Sequence, residues 1–387
     1  MRFPEFSGEW EMVSLQDIAT INPKSDPLQN TFIYIDLEAV EKGELRKIQE
    51  IMREEAPSRA QRVIDNNDIL FQCVRPYQKN NYIHRILNTS NQQWVASTGY
   101  AQIRTTELPN YIYHLLNTDE FNRKVMVRCT GSSYPAINSE DLATIHLYYT
   151  PDKKEQLKIS RLLDLLDKRI ATQNKIIEDL KKLKSAISKY LFARKDLLET
   201  TICLSNIATL KNGYAFQSGK YNALGKWKIL TITNVPGERY INDEDCNCII
   251  NLPNDIQDHQ VLKEGDILIS LTGNVGRVSL CKNGNYLLNQ RVGLLQLAKN
   301  VNQEFLYQIL SSQRFENSMI ACGQGAAQMN IGKGDVENYV LPYSSNGNNI
   351  LFAAKILHSY DECIINELRR LTLLTMQKQY LLTQMFI

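Results

Sequence analysis

LLDLLDKRIATQNKIIEDLKKLKSAISKYLF, residues 162–192, returns near the end of the chain as ILHSYDECIINELRRLTLLTMQKQYLLTQMF, residues 356–386. A shift of 194 residues lays Leu163 on Leu357, Asp167 on Asp361, Ile170 on Ile364, Leu180 on Leu374 and Phe192 on Phe386. The same shift carries Gly131 onto Gly325, Ile137 onto Ile331 and Asp141 onto Asp335. A repeat of this length is a duplicated structural unit. Each copy ends in one long amphipathic helix, so two similar modules are expected on a helical pair, facing something that itself has two sites.

Apolar residues recur at alternating spacings of three and four in both helices. Leu163, Leu166, Ile170, Ile177, Leu180 and Ile187 mark the seam of the first; Leu357, Ile364, Leu371, Leu374 and Leu381 mark the second. Polar breaks fall at matched repeat positions, Gln173 with Glu367 and Lys184 with Lys378. The pattern predicts an antiparallel coiled-coil-like pair with Lys184 opposite Glu367 and Gln173 opposite Lys378, because polar pairs in a seam fix its register. About 38 residues at 1.5 Å rise span roughly 55 Å, the length of a spacer rather than of a core helix.

Outward from the helices, each half has the same order of parts. An amphipathic opening (13–20; 203–209) precedes strand-like stretches (32–35; 229–232). VIDNNDILF (63–71) is matched by VLKEGDILI (261–269), read as a polar turn entering a buried strand. Helical stretches follow over 110–122 and 302–317, then a Gly-containing turn, then an Asp-led strand (141–149; 335–343) that ends at Pro151 or Pro342. The middles, 36–60 and 213–258, do not match each other. Variable loops on a common frame are where function is carried.

With 387 residues the chain has room for two or three domains, and its net charge of +2 excludes a global polycation. Charge is nevertheless uneven: residues 152–195 hold 13 Lys/Arg against 6 Asp/Glu. Such a run is either a solvated helix face or a surface for nucleic acid or a partner. The eight cysteines are scattered, with Cys246 and Cys248 the only near neighbours and no set completing a zinc spacing. That usage, an opening (MRFPEFSGEWEMV) unlike a targeting segment, and no apolar run long enough to span a bilayer lead to an expectation of a cytoplasmic protein.

Catalytic signatures are missing. Gly332-Lys333-Gly334 is not a phosphate loop, Gly323-x-Gly325 lacks the third glycine of a dinucleotide fingerprint, and no H-E-x-x-H or G-x-S-x-G occurs. An N-P-P-[YF] motif for amino methylation is absent; Asn22-Pro23-Lys24 does not qualify. No cofactor or metal is expected. The repeated turns instead carry hydrogen-bonding and aromatic groups. Arg75 to Tyr82, Ser97 to Tyr100 and Arg128 to Tyr134 lie in the first half; Thr272 to Arg277, Asn289 to Arg291 and Gly323 to Asn330 lie in the second. Arg, Asn, Gln and Lys read base edges, and Ser, Thr, Tyr and Lys suit phosphates. The plainer reading is that these are polar loops capping strands.

At this point the chain resembles the specificity subunits of type I restriction–modification systems. The resemblance rests on RFPEFSGEW (2–10) before Leu15-x-Asp17-Ile18-Ala19, NDILF (67–71) before Arg75-Pro76-Tyr77, and ASTGY (96–100). It continues in GDILISLTGNVGRV (265–278), LNQRVG (288–293) and the run from Glu155 to Ile170. It implies an α/β (α+β) fold of two pseudo-twofold-related target-recognition domains with mixed sheets, over 1–151 and 196–343. Two antiparallel coiled-coil helices, over 152–195 and 344–387, would join them. It further implies a non-catalytic subunit that binds double-stranded DNA. Each domain would read half of a bipartite site, the helices would dock two methyltransferase subunits, and translocase–restriction subunits would join through the complex. The second helix is the less charged, with 4 Lys/Arg and 3 Asp/Glu from Gly347 on, so docking is expected to be asymmetric.

The expected DNA contacts are Arg75, Tyr77, Lys79, Ser97, Thr98, Ser132 and Ser133 in the first half. In the second they are Asn274, Arg277, Gln290, Arg291, Gln324 and Gln328. The rivals are a single-chain methyltransferase or nuclease with degenerate motifs, and a protein-interaction scaffold with two α/β modules on a coiled coil and no DNA contact.

Overall fold

The computed structural model describes residues 2–85, 92–323 and 329–386. They fall into two compact units, Met1–Asn174 with Arg370–Ile387, and Lys175–Arg369. The two long helices, Lys153–Ala193 and Gly347–Met385, are each shared between the units.

In the first unit one sheet has the strand order Gln49–Met52, Thr31–Ile35, Gln93–Ser97, Ala60–Ile64. Its two central strands are parallel and its outer pairs antiparallel. A second sheet, all antiparallel, has the order Ala19–Ile21, Tyr100–Thr105, Ile69–Gln72, Tyr82–Ile83. A ribbon of Glu11–Ser14 with His146–Tyr149 lies outside both. The second unit repeats this topology. Its mixed sheet runs Asn247–Ile249, Trp227–Leu230, Tyr286–Leu288, Val261–Leu262, again parallel at the centre. Its antiparallel sheet runs Ala208–Asn212, Val292–Leu297, Ile267–Ser270, Val278–Leu280, and its ribbon pairs Thr200–Cys203 with Val340–Tyr343.

The repeated D-I-L element owes its sequence to this position. Ile69–Gln72 and Ile267–Ser270 are buried at every residue, as expected of an apolar run bounded by turns. The aspartate closes the turn before each strand. Asp68 accepts a bond from the Asp65 backbone N–H at 2.8 Å, and Asp266 accepts one from Lys263 at 2.8 Å.

In the first unit Leu163 and Leu166 share a core with Leu374, Leu382, Met385 and Phe386. In the second Leu191 packs with Ile350, Ala353, Ala354 and Leu357. The helices therefore run in opposite directions, and the eleven seam residues are all buried or half-buried. The register differs from the expected one. Lys184 reaches Asp361 at 2.5 Å, and Lys378 bonds Asp167. Both pairs obey the 194-residue repeat. A long lysine side chain can run along the seam, so each lysine break is answered by an aspartate of the other helix.

Three smaller expectations change. Each helical stretch is two helices, Pro109–Leu116 then Asp119–Arg128, and Gln303–Leu310 then Gln313–Cys322. Thr118 and Ser312 cap the second of each by accepting a bond from a backbone N–H. Asp141 and Asp335 open helical turns, Ser139–Ala143 and Lys333–Glu337, rather than strands. Pro342 lies inside its ribbon strand, opposite Thr201, rather than ending it. The opening segment anchors the first unit: Arg2 grips the buried Glu155 carboxylate with bonds of 2.6 and 2.7 Å. Among the described residues no helix is long and apolar enough to cross a membrane.

Candidate nucleic-acid interface

In each unit three segments meet beyond the D-I-L strand, joined by the same backbone hydrogen bonds. In the first, Ile137 donates to Cys73 at 3.1 Å, Cys73 to Gly99 at 3.0 Å and Arg75 to Pro135 at 2.7 Å. In the second, Ile331 donates to Leu271 at 2.9 Å, Leu271 to Arg291 at 3.0 Å and Gly273 to Met329 at 2.9 Å. The frame thus gathers the loops that the sequence singles out.

The first unit's loop turns on Pro76–Gln78, flanked by Arg75 and Lys79 at φ of 55° and 51°. Two non-glycine residues in the left-handed region, each worth roughly 1 kcal/mol or more, are backbone strain held by the surroundings. Gln72 supplies that hold, with its side-chain nitrogen donating to Val74 at 2.8 Å and to Gln78 at 2.9 Å. The Arg75 guanidinium lies over the Tyr134 ring at 4.5 Å from its centroid, and Tyr134 is 64% exposed. Stacking holds the planar group and leaves its N–H edge free for a bidentate acceptor. Tyr77, Ser132 and Ser133 are exposed beside it.

The remaining expected residues fare differently. Ser97 is buried, and its hydroxyl accepts from the Gly99 N–H at 3.2 Å, so it builds the turn. Thr98 is half-buried, its N–H donating to Arg59 at 2.8 Å. Lys79 is held by Asp119 at 2.5 Å. Cys73 lies at the base of the cluster, where burial pushes its thiol up to about 12, too high for a thiolate nucleophile.

In the second unit Asn274, Gln290 and Arg291 are exposed, and Arg277 is half-buried 3.6 Å from Glu316. Gln324 and Gln328 lie outside the described residues. Two residues absent from the expected set belong to these clusters. Tyr134 shares the Gly131 turn with Ser132 and Ser133, a placement readable in the sequence. Tyr214 accepts from the Gln290 N–H at 3.0 Å, a neighbourhood only the fold creates.

Each unit also joins its small helix to the long helices through buried polar groups. In the first, His114 Nε2 lies 2.8 Å from Asp164, which Asn110 also contacts, and Arg85 contacts Asn110. Burial pushes the Asp164 carboxyl up, but the bonds from His114 and Asn110 outweigh it and leave it below the usual range. In the second, Arg239 bonds Glu304 at 2.6 and 2.8 Å and Asp361 at 3.0 Å, while Gln308 donates to both carboxylates. Burial works against the Glu304 charge, yet Arg239 and Gln308 hold its carboxyl below the usual range.

Residues 7–182 and 199–375 both match the family model described as the type I restriction modification DNA specificity domain. The chain belongs to that family. Among curated relatives, it is 27% identical over 233 residues to the MjaVIII specificity subunit of Methanocaldococcus jannaschii, covering 54% of this chain and 53% of the relative. It is 24% identical over 195 residues to the HindI specificity subunit of Haemophilus influenzae, covering 49% and 39%. The matches therefore span about half or less of those relatives. The fold is that of a solved type I R-M chain (TM-score 0.59, 19% identity, covering 98% of this chain and 97% of that one). It is equally that of the Type-I restriction-modification S subunit from M. genitalium (TM-score 0.59, 16% identity, covering 98% and 96%). Within the family, the doubled topology seen here is a doubled specificity domain.

Proposed function

We propose that the chain is the DNA-recognition and scaffolding subunit of a type I restriction–modification complex, with no catalysis of its own. Each unit reads one half of a bipartite site. One observation carries this reading: the same hydrogen-bonded loop frame occurs twice and displays different side chains. Arg75 on Tyr134, with Tyr77, Ser132 and Ser133, faces outward in one copy. Gly273 replaces Arg75 in the other, where Asn274, Arg277, Gln290 and Arg291 take over. A common frame with divergent readers suits an asymmetric bipartite target.

The outer faces of the long helices support docking of methyltransferase subunits. In the second unit Ile176, Leu183 and Tyr190 are exposed seven residues apart on one helix. In the first Leu373, Met376 and Tyr380 are exposed at three- and four-residue steps on the other. Apolar rows at helical spacing are what a partner helix covers.

Methylation mapping in cells carrying the chain and its partners tests the proposal. Arg291→Ala should relax one half-site and Arg75→Ala the other, each at a cost of roughly 1–3 kcal/mol in discrimination. An unchanged recognition sequence for both variants would sink the reading. Leu183→Glu with Tyr190→Ser should separately weaken co-purification with the methyltransferase.

A further inference from the structure

Arg62 lies on Ala60–Ile64, opposite Ala96 and therefore next to the Ser97–Gly99 turn of the loop frame. Alternation along the strand puts it on the face of Ile64 and Ala96, which pack with Ile35, Leu70, Tyr82 and Tyr100. Its side chain thus leaves the backbone through an apolar layer. The residue is half-buried, and its Nε is buried with no hydrogen-bond partner. No carboxylate among the described residues forms an ion pair with it, whereas the arginines built into the structure are paired: Arg104 with Asp68, Arg239 with Glu304 and Asp361. The neighbouring Cys73 thiol is neutral and supplies no counter-charge. Burial lowers the guanidinium pKa, the direction expected of a desolvated cation.

An arginine stays protonated, so its half-buried charge costs stability unless an anion completes it. The place where that anion can arrive is the loop end of the sheet. There the exposed Arg59 accepts the Thr98 N–H at 2.8 Å, and Arg75 is on the adjoining segment through the bond from Cys73 to Gly99 at 3.0 Å. We propose that Arg62 is a phosphate-contacting residue of the first unit, its guanidinium set at the base of the loop cluster to receive the DNA backbone. This rests on the DNA reading above and adds a residue that it does not contain. A phosphate suits a recessed cation better than a base edge does, because a backbone can follow the rim of the cluster while base edges need projecting groups.

The experiment uses the full chain in complex with its methyltransferase partner, a random-sequence DNA duplex as probe, and Arg62→Met and Arg62→Lys variants. Binding is measured between about 50 and 200 mM salt. Arg62→Met should bind about 3- to 10-fold more weakly and lose about one unit of the slope of log affinity against log salt. The loss should be the same on every sequence. The same variant should melt no lower than wild type, because it removes an uncompensated charge. Arg62→Lys should restore most of the slope. A lower melting temperature with unchanged binding would assign Arg62 to the core and overturn the proposal. A loss confined to one DNA sequence would overturn the phosphate assignment. If Arg62→Met binds normally while Arg75→Ala does not, this inference fails and the DNA reading stands; no binding by the wild-type complex sinks both.

Discussion

Tyr113-His114 in the first unit occupies the repeat position of Tyr307-Gln308 in the second, and Asp167 that of Asp361. Around this shared scaffold the charges differ. In the second unit Asp361 is 7% exposed and receives Lys184, Arg239 and Gln308 together. In the first the equivalent Asp167 is 34% exposed; Lys378 reaches it, and His114 Nδ1 stands 4.0 Å away. One junction is a buried network of charges completed by an amide; the other is half-solvated, with Lys378 as its cation and an imidazole nitrogen at 4.0 Å. Duplication preserved the aspartate–lysine pair, and each copy then found its own way to satisfy the groups around it. The general point is that a repeat conserves the contact that sets register more strictly than the contacts that neutralise it.

The comparison can be broken most severely at Arg239. Arg239→Met takes the guanidinium from Glu304 and leaves Asp361 to Lys184 and Gln308, and should destabilise the second unit by roughly 3–5 kcal/mol, measured by chemical denaturation. Little loss would mean that the network relaxes into water. A different weakness belongs to the first unit. His84 is fully buried beside Trp94, and burial pushes its imidazole down to about 4. The unfolded chain takes up that proton below pH 6.5, and the folded chain only near 4. The stability present above pH 6.5 is therefore lost as the pH falls through this window, by about 3 kcal/mol. Thermal melts from pH 7 to 4 check it, and His84→Phe should remove this part of the dependence.

A matched pair of substitutions sharpens the comparison further. Asp361→Asn should cost roughly 2–3 kcal/mol, whereas Asp167→Asn should cost about 0.5–1 kcal/mol because solvent screens the more exposed pair. Equal effects would show that exposure does not separate the two junctions. The smallest contrast lies at the D-I-L turns. Arg104 bonds the buried Asp68 carboxylate with two contacts of 2.8 and 2.7 Å. Asp266 has no such ion pair among the described residues, and burial holds its carboxyl above the usual range. Asp68→Asn should therefore cost about 1–3 kcal/mol, and Asp266→Asn should stay within about 0.5 kcal/mol of wild type in the same unfolding assay.

The long helices and the order of strands were legible because they are local: a 3–4 period needs no knowledge of the partner, and a D-I-L strand announces its turn. The loops of the candidate interface were legible for a second reason, since they occur twice in a fixed order. Individual side chains were less so. Ser97, expected among the contacts, is buried and accepts the Gly99 N–H, and Lys79 pairs with Asp119. Arg62 carried no signal at all, because nothing in Ala60-Gln61-Arg62-Val63 distinguishes a cation with a counter-ion from one without. That distinction depends on residues brought in by other strands.

The sequence by itself determined the duplication, the paired long helices, the common frame with divergent middles and hence the family resemblance. All are properties of periodicity and order, which survive without coordinates. The tertiary structure alone decided the register of the helix pair, which loop groups are exposed, and where charge is left uncompensated. Those depend on side-chain reach and on burial against segments distant in the chain. Spacing along one strand of sequence fixes neither.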